Sequence, residues 1–114
     1  MIEWSNNTIL KSFPNSCLGH KHTIITPEVT FFGFPTQPDY AIITIEVIPD
    51  KLAIELKSVK QYLMQFRDKH ISYERLLNTI YNDFDFIYKP KLLKIRLEMT
   101  PRGGIQSIVE KGVI

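Results

Sequence analysis

The chain has 114 residues, of which 44% are hydrophobic and 23% are charged, a composition typical of one compact domain over residues 1–114 and unlike that of a disordered or multidomain protein. Its 14 basic and 12 acidic residues give a net charge of +2, which is too close to balance to favour nucleic-acid binding by bulk charge. No apolar run approaches the ~20 residues of a membrane-spanning helix, and the chain starts without the basic and then apolar pattern of a signal peptide, so we expect a cytoplasmic protein.

Alternating apolar residues predict the first two strands. Residues 20–26 are rich in β-branched side chains, and residues 40–48 carry an apolar side chain at every second position from Ala41 to Val47. Because alternate side chains of a strand point to opposite faces, the second strand has one apolar face. The two segments are expected to pair as a hairpin.

Two amphipathic helices are predicted next, because the apolar residues change to helical spacing. The first helix follows Asp50 as its N-cap and ends near Lys69, and the second follows Ser72 as its N-cap and ends near Tyr88. The residues that carry the helical spacing are Leu56, Val59, Leu63 and Phe66 in the first segment, and Tyr73, Leu76, Leu77, Ile80, Phe84 and Ile87 in the second.

A second hairpin follows the helices. Residues 91–99 alternate between apolar and polar side chains, and residues 105–109 form a shorter β-rich segment. Gly103 and Gly104 lie between the two segments and provide the turn that a hairpin needs.

The order strand, strand, helix, helix, strand, strand predicts an α+β fold in which two helices cover the apolar face of an antiparallel sheet. The other sheet face carries polar side chains at Thr44, Glu46, Lys94 and Arg96. This face is either solvated or lines a channel that several subunits form by closing a barrel. A domain of this size buries only ~60–70% of the surface of its unfolded chain, so a subunit interface would add stability and we expect an oligomer.

Asp39 is a candidate acid or base. Pro38 restricts the backbone just before it, so its carboxylate is expected at the mouth of the second strand. A Pro-Asp pair is also ordinary turn chemistry, so a structural role stays open.

The start of the first helix is a candidate phosphate site. Lys57, Ser58 and Lys60 would bring two ammonium groups, a hydroxyl and free backbone N–H groups together in its first turns. The alternative is a solvated basic face.

Glu74 and Arg102 are the remaining candidates for ligand binding. Glu74 lies early in the second helix, away from its apolar stripe, where the carboxylate either accepts paired N–H bonds from a guanine-like edge or only complements the helix dipole. Arg102 lies in a tight glycine-rich turn, which makes it a candidate anion clamp because the glycines allow a ligand to approach the backbone.

Taken together, these stretches resemble the QueF family of tunnelling-fold enzymes over nearly the whole chain. The most specific motifs are the helix start at 55–62, Gln-Pro-Asp at 37–39 and Pro-Arg-Gly-Gly at 101–104. The other matching stretches are residues 12–15, 27–30, 66–67, 73–74 and 82–83.

The resemblance implies NADPH-dependent reduction of the nitrile 7-cyano-7-deazaguanine to its aminomethyl compound, on the route to the tRNA base queuosine. It also implies the tunnelling fold and a homo-oligomer of stacked rings, with small-molecule sites between subunits and no direct contact with nucleic acid or membrane.

The resemblance also assigns roles to single residues. Asp39 matches the family's proton-transfer aspartate, and Glu74 matches the glutamate that holds the deazapurine edge. The resemblance implies contacts with the NADPH cofactor at Lys57, Ser58, Lys60 and Arg102.

The match breaks at the nucleophile. The family uses a cysteine before the Gln-Pro-Asp motif, whose thiolate adds to the nitrile carbon to form a thioimide that accepts hydride. Here residues 31–36 contain no cysteine, the loop is shorter than the family pattern, and no glycine precedes Gln37. Thr36 would need a neighbouring base to act as a nucleophile, so we expect an altered reaction.

Cys17 is the single cysteine of the chain, so an internal disulfide is excluded. At ~3.3 Å per residue, the first strand keeps it away from Phe32 within one subunit, although a neighbouring subunit could present it. Cys17, His20 and His22 loosely resemble the zinc-binding strand of pterin synthases with the same fold. His20 and His22 would project from one strand face as two metal ligands do, but the motif lacks a third ligand, and two partly exposed strand histidines are the alternative.

Three functions stay open from the sequence. The first is a nitrile reductase with an unusual nucleophile or a partner's cysteine, and the second is a diverged tunnelling-fold enzyme acting on a purine or pterin, zinc-dependent in one version. The third is a non-catalytic purine-binding or assembly subunit, against which the proton-transfer position of Asp39 weighs. QueF-type reductase is the best single family name.

Overall fold

A computed structural model describes residues 5–33 and 38–114, which form six strands and two α-helices. A short 3₁₀ helix, Asn7–Ile9, precedes them. The elements in chain order are β1 (Ser12–Pro14), β2 (His22–Phe32), β3 (Pro38–Ile48), β4 (Leu52–Ile54), α1 (Leu56–Met64), α2 (Tyr73–Tyr88), β5 (Leu92–Met99) and β6 (Ile108–Val113).

The main sheet is antiparallel, with strand order β2-β3-β5-β6. The predicted apolar faces of β3 and β5 are confirmed, because every second residue from Ala41 to Val47 and from Leu93 to Met99 is buried. Buried side chains of α2 belong to the same core, among them Ile80. The predicted α+β arrangement of two hairpins and two helices is confirmed.

Helix α2 has the predicted boundaries. The Ser72 hydroxyl accepts a hydrogen bond from the Arg75 backbone N–H at 3.3 Å, so it is the expected N-cap. The helix ends at Tyr88 because Lys89 takes the left-handed conformation, with φ of 44°, and Pro90 follows it.

The predicted boundaries of the first helix are wrong at both ends. Asp50 is not the N-cap, because the residues after it form β4, which pairs with β1 in a separate two-stranded sheet. Glu55 caps α1 instead, and its carboxylate accepts the Lys57 backbone N–H at 2.6 Å. The helix stops at Met64, and turns occupy residues 65–68 where we expected helix to continue.

Strand β2 is longer than the predicted segment 20–26. It continues to Phe32 through a bulge between Thr26 and Val29, which pair with Ile43 and Ala41 of β3. Pro27 lies within this bulge, and prolines are tolerated at bulges and on edge strands, of which β2 is one.

Strand β6 lies further along the chain than predicted. Arg102 and Ile105 pair across Gly103 and Gly104, both with positive φ, so the predicted glycine turn is confirmed. The regular strand begins only at Ile108 and runs through polar residues and a glycine, a pattern that an exposed edge strand permits but that does not look β-rich.

The polar face of the sheet carries ion pairs. Lys21 lies 3.1 Å from Glu46, Lys94 lies 3.4 Å from Glu110, and both pairs are partly exposed. Glu46 and Lys94 lie opposite each other in the register of β3 and β5, as their complementary charges suggest. Each nevertheless forms its ion pair with another residue, Glu46 with Lys21 and Lys94 with Glu110.

A buried polar network joins the N-terminal segment to both helices. The Asp83 carboxylate, in a residue 1% exposed, accepts hydrogen bonds from the Ser5 and Tyr62 hydroxyls, each at 2.5 Å, and from the Asn7 amide at 3.3 Å. Burial, with Asp83 beside it, raises the pKa of Tyr62 above its ordinary value. The sequence patterns did not predict this network.

In the described part of the chain, neither helix has the length and hydropathy needed to cross a bilayer.

Candidate functional site

Three of the predicted site residues line one cavity of about 390 Å³. Asp39 comes from the start of β3, Glu74 from the first turn of α2, and Arg102 from the turn after β5. The antiparallel pairing of β3 with β5 brings the start of one strand beside the end of the other, since Ala41 pairs with Met99. Residues far apart in sequence therefore meet at one end of the sheet.

The Asp39 carboxylate is held on two sides. Oδ1 lies 2.7 Å from a guanidinium nitrogen of Arg102, and this guanidinium also donates to the Pro38 carbonyl oxygen. Oδ2 lies against the backbone of Gly33, where an added Cβ would come within 1.9 Å of it. The Asp39 side chain is 18% exposed, so it is partly shielded but still accessible from the cavity.

The Glu74 carboxylate is available to a ligand. Within residues 5–33 and 38–114, no hydrogen bond or ion pair engages it, and the residue lines the cavity beside Ser72 and Tyr73. An ionised carboxylate is an acceptor only, with two oxygens that can each take an N–H bond. The cavity therefore presents one paired carboxylate, that of Asp39, and one without a protein partner.

The rest of the cavity wall combines apolar and hydroxyl groups. Met99 and Ile105 supply apolar surface, and Tyr73, Thr100 and Ser107 supply hydroxyls. Small-molecule sites commonly have this mixture and a volume of ~300–1,000 Å³. The dimensions and chemistry suit a flat, polar heterocycle.

Two stacked rings hold the end of β2 next to the cavity. The Phe32 and His70 rings lie 4.9 Å apart, inclined by 17°, and Phe32 exchanges backbone hydrogen bonds with Lys69 and Ile71. These contacts fix the position of Gly33, which immediately follows. The amino-acid types gave no periodic signal for this contact.

The predicted phosphate site at the start of α1 is present only in part. Lys57 and Lys60 are exposed, as expected, but the Lys57 backbone N–H already binds the Glu55 carboxylate. Ser58 is 1% exposed, and its hydroxyl donates to the Glu55 carbonyl oxygen and accepts from the Lys11 N–H. The Ser58 hydroxyl and the Lys57 N–H are therefore not free for a ligand, contrary to expectation, whereas the two exposed ammonium groups are as predicted.

Lys60 also lines a second, larger groove of about 580 Å³ between α1 and β2. Ile25, Leu56 and Met64 give this groove an apolar surface, and Arg67 adds a second cation at its wall. Arg67 was not among the predicted site residues, although its spacing of seven from Lys60 corresponds to two helical turns.

His20 and His22 lie outside both cavities, in a shallow cleft with Cys17. His20 Nδ1 donates to the Cys17 carbonyl oxygen at 2.5 Å. Among the residues that the structure describes, no group of three or more His, Cys, Asp or Glu side chains could hold a metal ion.

Cys17 is exposed and precedes β2, whereas the Asp39 cavity lies beyond the other end of that strand. The 11 residues of β2 correspond to roughly 35 Å of extended chain. Cys17 therefore does not reach the cavity of its own subunit. Residues 34–37 of the shortened loop, which include Thr36 and Gln37, lie outside the described residues.

The chain matches a protein family over most of its length. Residues 38–112 match the model of a family described as QueF-like protein. Proteins named NADPH-dependent 7-cyano-7-deazaguanine reductase are similar to it. The one from Chloroherpeton thalassium is 40% identical over 104 residues, which are 89% of this chain and 90% of that protein.

Two further relatives carry the same name. The protein from Nostoc sp. is 36% identical over 104 residues, or 89% of this chain and 76% of that protein. The protein from Wolinella succinogenes is 43% identical over 76 residues, or 64% of this chain and 59% of that protein. The match thus spans less than two thirds of some relatives.

The fold has a counterpart among solved structures. The crystal structure of the archaeosine synthase QueF-Like in the apo form superposes with a TM-score of 0.75 at 15% identity, and the match covers 81% of this chain and 91% of that one. This likeness confirms the predicted tunnelling-fold architecture.

Proposed function

The chain belongs to the QueF-like family, and from this premise we propose that it binds 7-cyano-7-deazaguanine, or a heterocycle with the same guanine-type edge, in the Asp39 cavity. The observation that carries the proposal is the Glu74 carboxylate, which lines the cavity without a protein partner in the described residues. This assigns the chain to the queuosine branch of tRNA modification.

Hydrogen-bond chemistry supports a guanine-type ligand. A guanine edge carries neighbouring ring and exocyclic N–H donors, which match the two acceptor oxygens of one carboxylate. A heterocycle with acceptors at those positions would meet a negative charge instead. Glu74 therefore selects for N–H donors.

NADPH is the proposed cofactor, and the residues beside α1 fit it in part. Lys57, Lys60 and Arg67 supply cations for phosphate groups, and the apolar groove of about 580 Å³ accommodates rings. When bound, NADPH supplies a hydride. The Ser58 hydroxyl is left out of this proposal, because it binds backbone groups.

We propose that the reaction of this chain differs from thioimide-dependent nitrile reduction. The support is the absence of a cysteine from residues 31–36 and the distance of Cys17 from the cavity. Asp39 lines the cavity with Arg102 on Oδ1, so a ligand that exchanges a proton with it approaches Oδ2 or displaces the guanidinium. This carboxylate supports an enzyme rather than a pure binder.

Replacing Glu74 tests the binding proposal. Calorimetric titration with 7-cyano-7-deazaguanine should show saturable binding to the wild type, and Glu74→Gln should weaken it by about 10- to 100-fold, the equivalent of losing hydrogen bonds to a charged group. Asp85→Asn is the matched control, because Asp85 is an exposed carboxylate on the same helix outside the cavity. Equal affinities of wild type and Glu74→Gln would contradict the proposal.

The altered reaction is tested by mixing the protein, the nitrile and NADPH and following NADPH absorbance. We expect binding of the nitrile without steady NADPH oxidation. Oxidation that Cys17→Ala abolishes would overturn this part and show that a neighbouring subunit presents the thiol.

We also propose a homo-oligomer of stacked rings with sites between subunits. Among the described residues, β2 and β6 are the edge strands of the main sheet, with only an isolated bridge from Phe32 to His70 beyond β2, and open edges invite pairing with another chain. Ile105 lines the cavity and is 73% exposed, so a neighbouring subunit that covers that wall would bury apolar surface. Sedimentation velocity should show a single species much larger than 13.3 kDa, and a monomer would contradict the proposal.

A further inference from the structure

Two hydroxyls of the cavity wall form a pair that the assigned roles leave unused. The Ser107 hydroxyl donates to the Tyr73 phenol oxygen at 3.3 Å, and both residues line the cavity that Glu74 lines. Tyr73 begins α2, and its ring packs partly buried against the core. The phenol is therefore held in place at the wall.

The pair leaves one proton without an acceptor. One hydrogen bond uses one of the two hydroxyl protons, and with Ser107 as its donor the phenol's own O–H remains to be donated to a ligand. A half-buried hydroxyl is more stable with a hydrogen-bond acceptor. The next residue along the helix is Glu74, which only accepts.

Because both residues line the cavity, its wall presents one donor, the Tyr73 phenol, and one acceptor, the Glu74 carboxylate. A guanine-type edge offers the complementary order, because its carbonyl oxygen adjoins the ring N–H. An adenine-type edge places an acceptor and a donor in the reverse order. On the basis of the proposed function, we infer that Tyr73 is a specificity-determining residue that donates its phenolic hydrogen bond to the carbonyl oxygen of the bound heterocycle, with Ser107 orienting it.

A pair of ligands that differ in one atom tests this inference. One is 7-cyano-7-deazaguanine, and the other is its 6-thio analogue, which keeps the N–H donors but replaces the carbonyl oxygen with sulfur, a weak acceptor. Calorimetry should show that the wild type prefers the oxo compound by about three- to tenfold, the effect of one hydrogen bond. Tyr73→Phe should weaken the oxo compound by about that factor and bring the ratio of the two affinities close to one.

Control variants separate recognition from structure. Tyr81→Phe removes a phenol on the same helix outside the cavity and should keep the oxo preference, whereas Ser107→Ala should reduce it. Glu74→Gln should weaken both ligands equally.

Three results would overturn the inference. An unchanged oxo preference in Tyr73→Phe, or an equal loss for both ligands, removes Tyr73 from recognition while the proposed function stands. Failure of the wild type to bind either ligand overturns the proposed function together with the inference.

Discussion

At the scale of single residues, Asp39 owes its position to a glycine. A side chain at position 33 would overlap Asp39 Oδ2, since an added Cβ comes within 1.9 Å of it, but lies 3.8 Å from the Asp39 Cβ. The overlap is therefore with the carboxylate and not with the rest of the residue. Gly33 allows the carboxylate to lie between the backbone and Arg102.

This contact predicts coupling between the two positions. Gly33→Ala should lower the free energy of unfolding by about 1–3 kcal/mol in the wild type, the usual cost of overpacking, and by much less in an Asp39→Ala background. Urea unfolding of the wild type, both single variants and the double variant measures the difference. The same cost in both backgrounds would show that the carboxylate is not what Gly33 accommodates.

Residue chemistry was predictable where it depends on unusual local sequence. Asp39, Glu74 and Arg102 were singled out from a Pro-Asp pair, a helix start and a glycine turn, and the structure brings them together. Ser58 was misjudged because a hydroxyl near a helix start can cap, bind a ligand or satisfy a distant backbone group. Its partner Lys11 lies 47 residues away, which no local pattern indicates.

At the scale of elements, the spacing of apolar residues predicted strands and helices better than single residues predicted where those elements begin and end. The alternation in β3 and β5 and the helical spacing of α2 were correct, because each reflects a face buried against the core. The errors fell at element ends, at the helix start assigned to Asp50 and at the end of the segment 20–26. Pairing with β1 and a bulge opposite β3 decided those boundaries, and both are long-range effects.

Two buried tyrosines of the helical layer should make the folded protein less stable at alkaline pH. Burial is the main cause that raises the pKa of Tyr62 above its ordinary value and that of Tyr88 to about 12. Above pH ~10 the unfolded chain loses these protons while the folded chain keeps them, so stability falls as pH rises. Each tyrosine should lower the free energy of unfolding by about 1 kcal/mol between about pH 10 and pH 11.

Urea unfolding across this range gives the measurement, with Tyr62→Phe as the comparison. At neutral pH the variant should have a lower free energy of unfolding than the wild type, because the Asp83 carboxylate loses a hydrogen-bond donor. As the pH rises, its free energy of unfolding should fall less steeply than that of the wild type. Parallel pH profiles for the two proteins would rule out Tyr62 as a source of the alkaline loss.

At the scale of the whole molecule, the family gives the architecture but not the reaction. The chain has the tunnelling fold and places Asp39 and Glu74 in one cavity, yet it has no cysteine in the segment before the Gln-Pro-Asp motif. The fold could be predicted from chain order because sequential strands pair as hairpins here. The proposed subunit contacts could not be predicted from the sequence, because the backbone groups of a strand edge such as that of β2 or β6 do not select one particular partner strand.

The central claim is that a guanine-type heterocycle binds in the Asp39 cavity through Glu74, and a crystal structure of the protein with 7-cyano-7-deazaguanine tests it most directly. The account predicts the bicyclic ring inside the cavity, with its ring and exocyclic N–H groups about 3 Å from the Glu74 carboxylate oxygens. A ligand bound elsewhere on the chain, or in the cavity with Glu74 turned away from it, would contradict the claim.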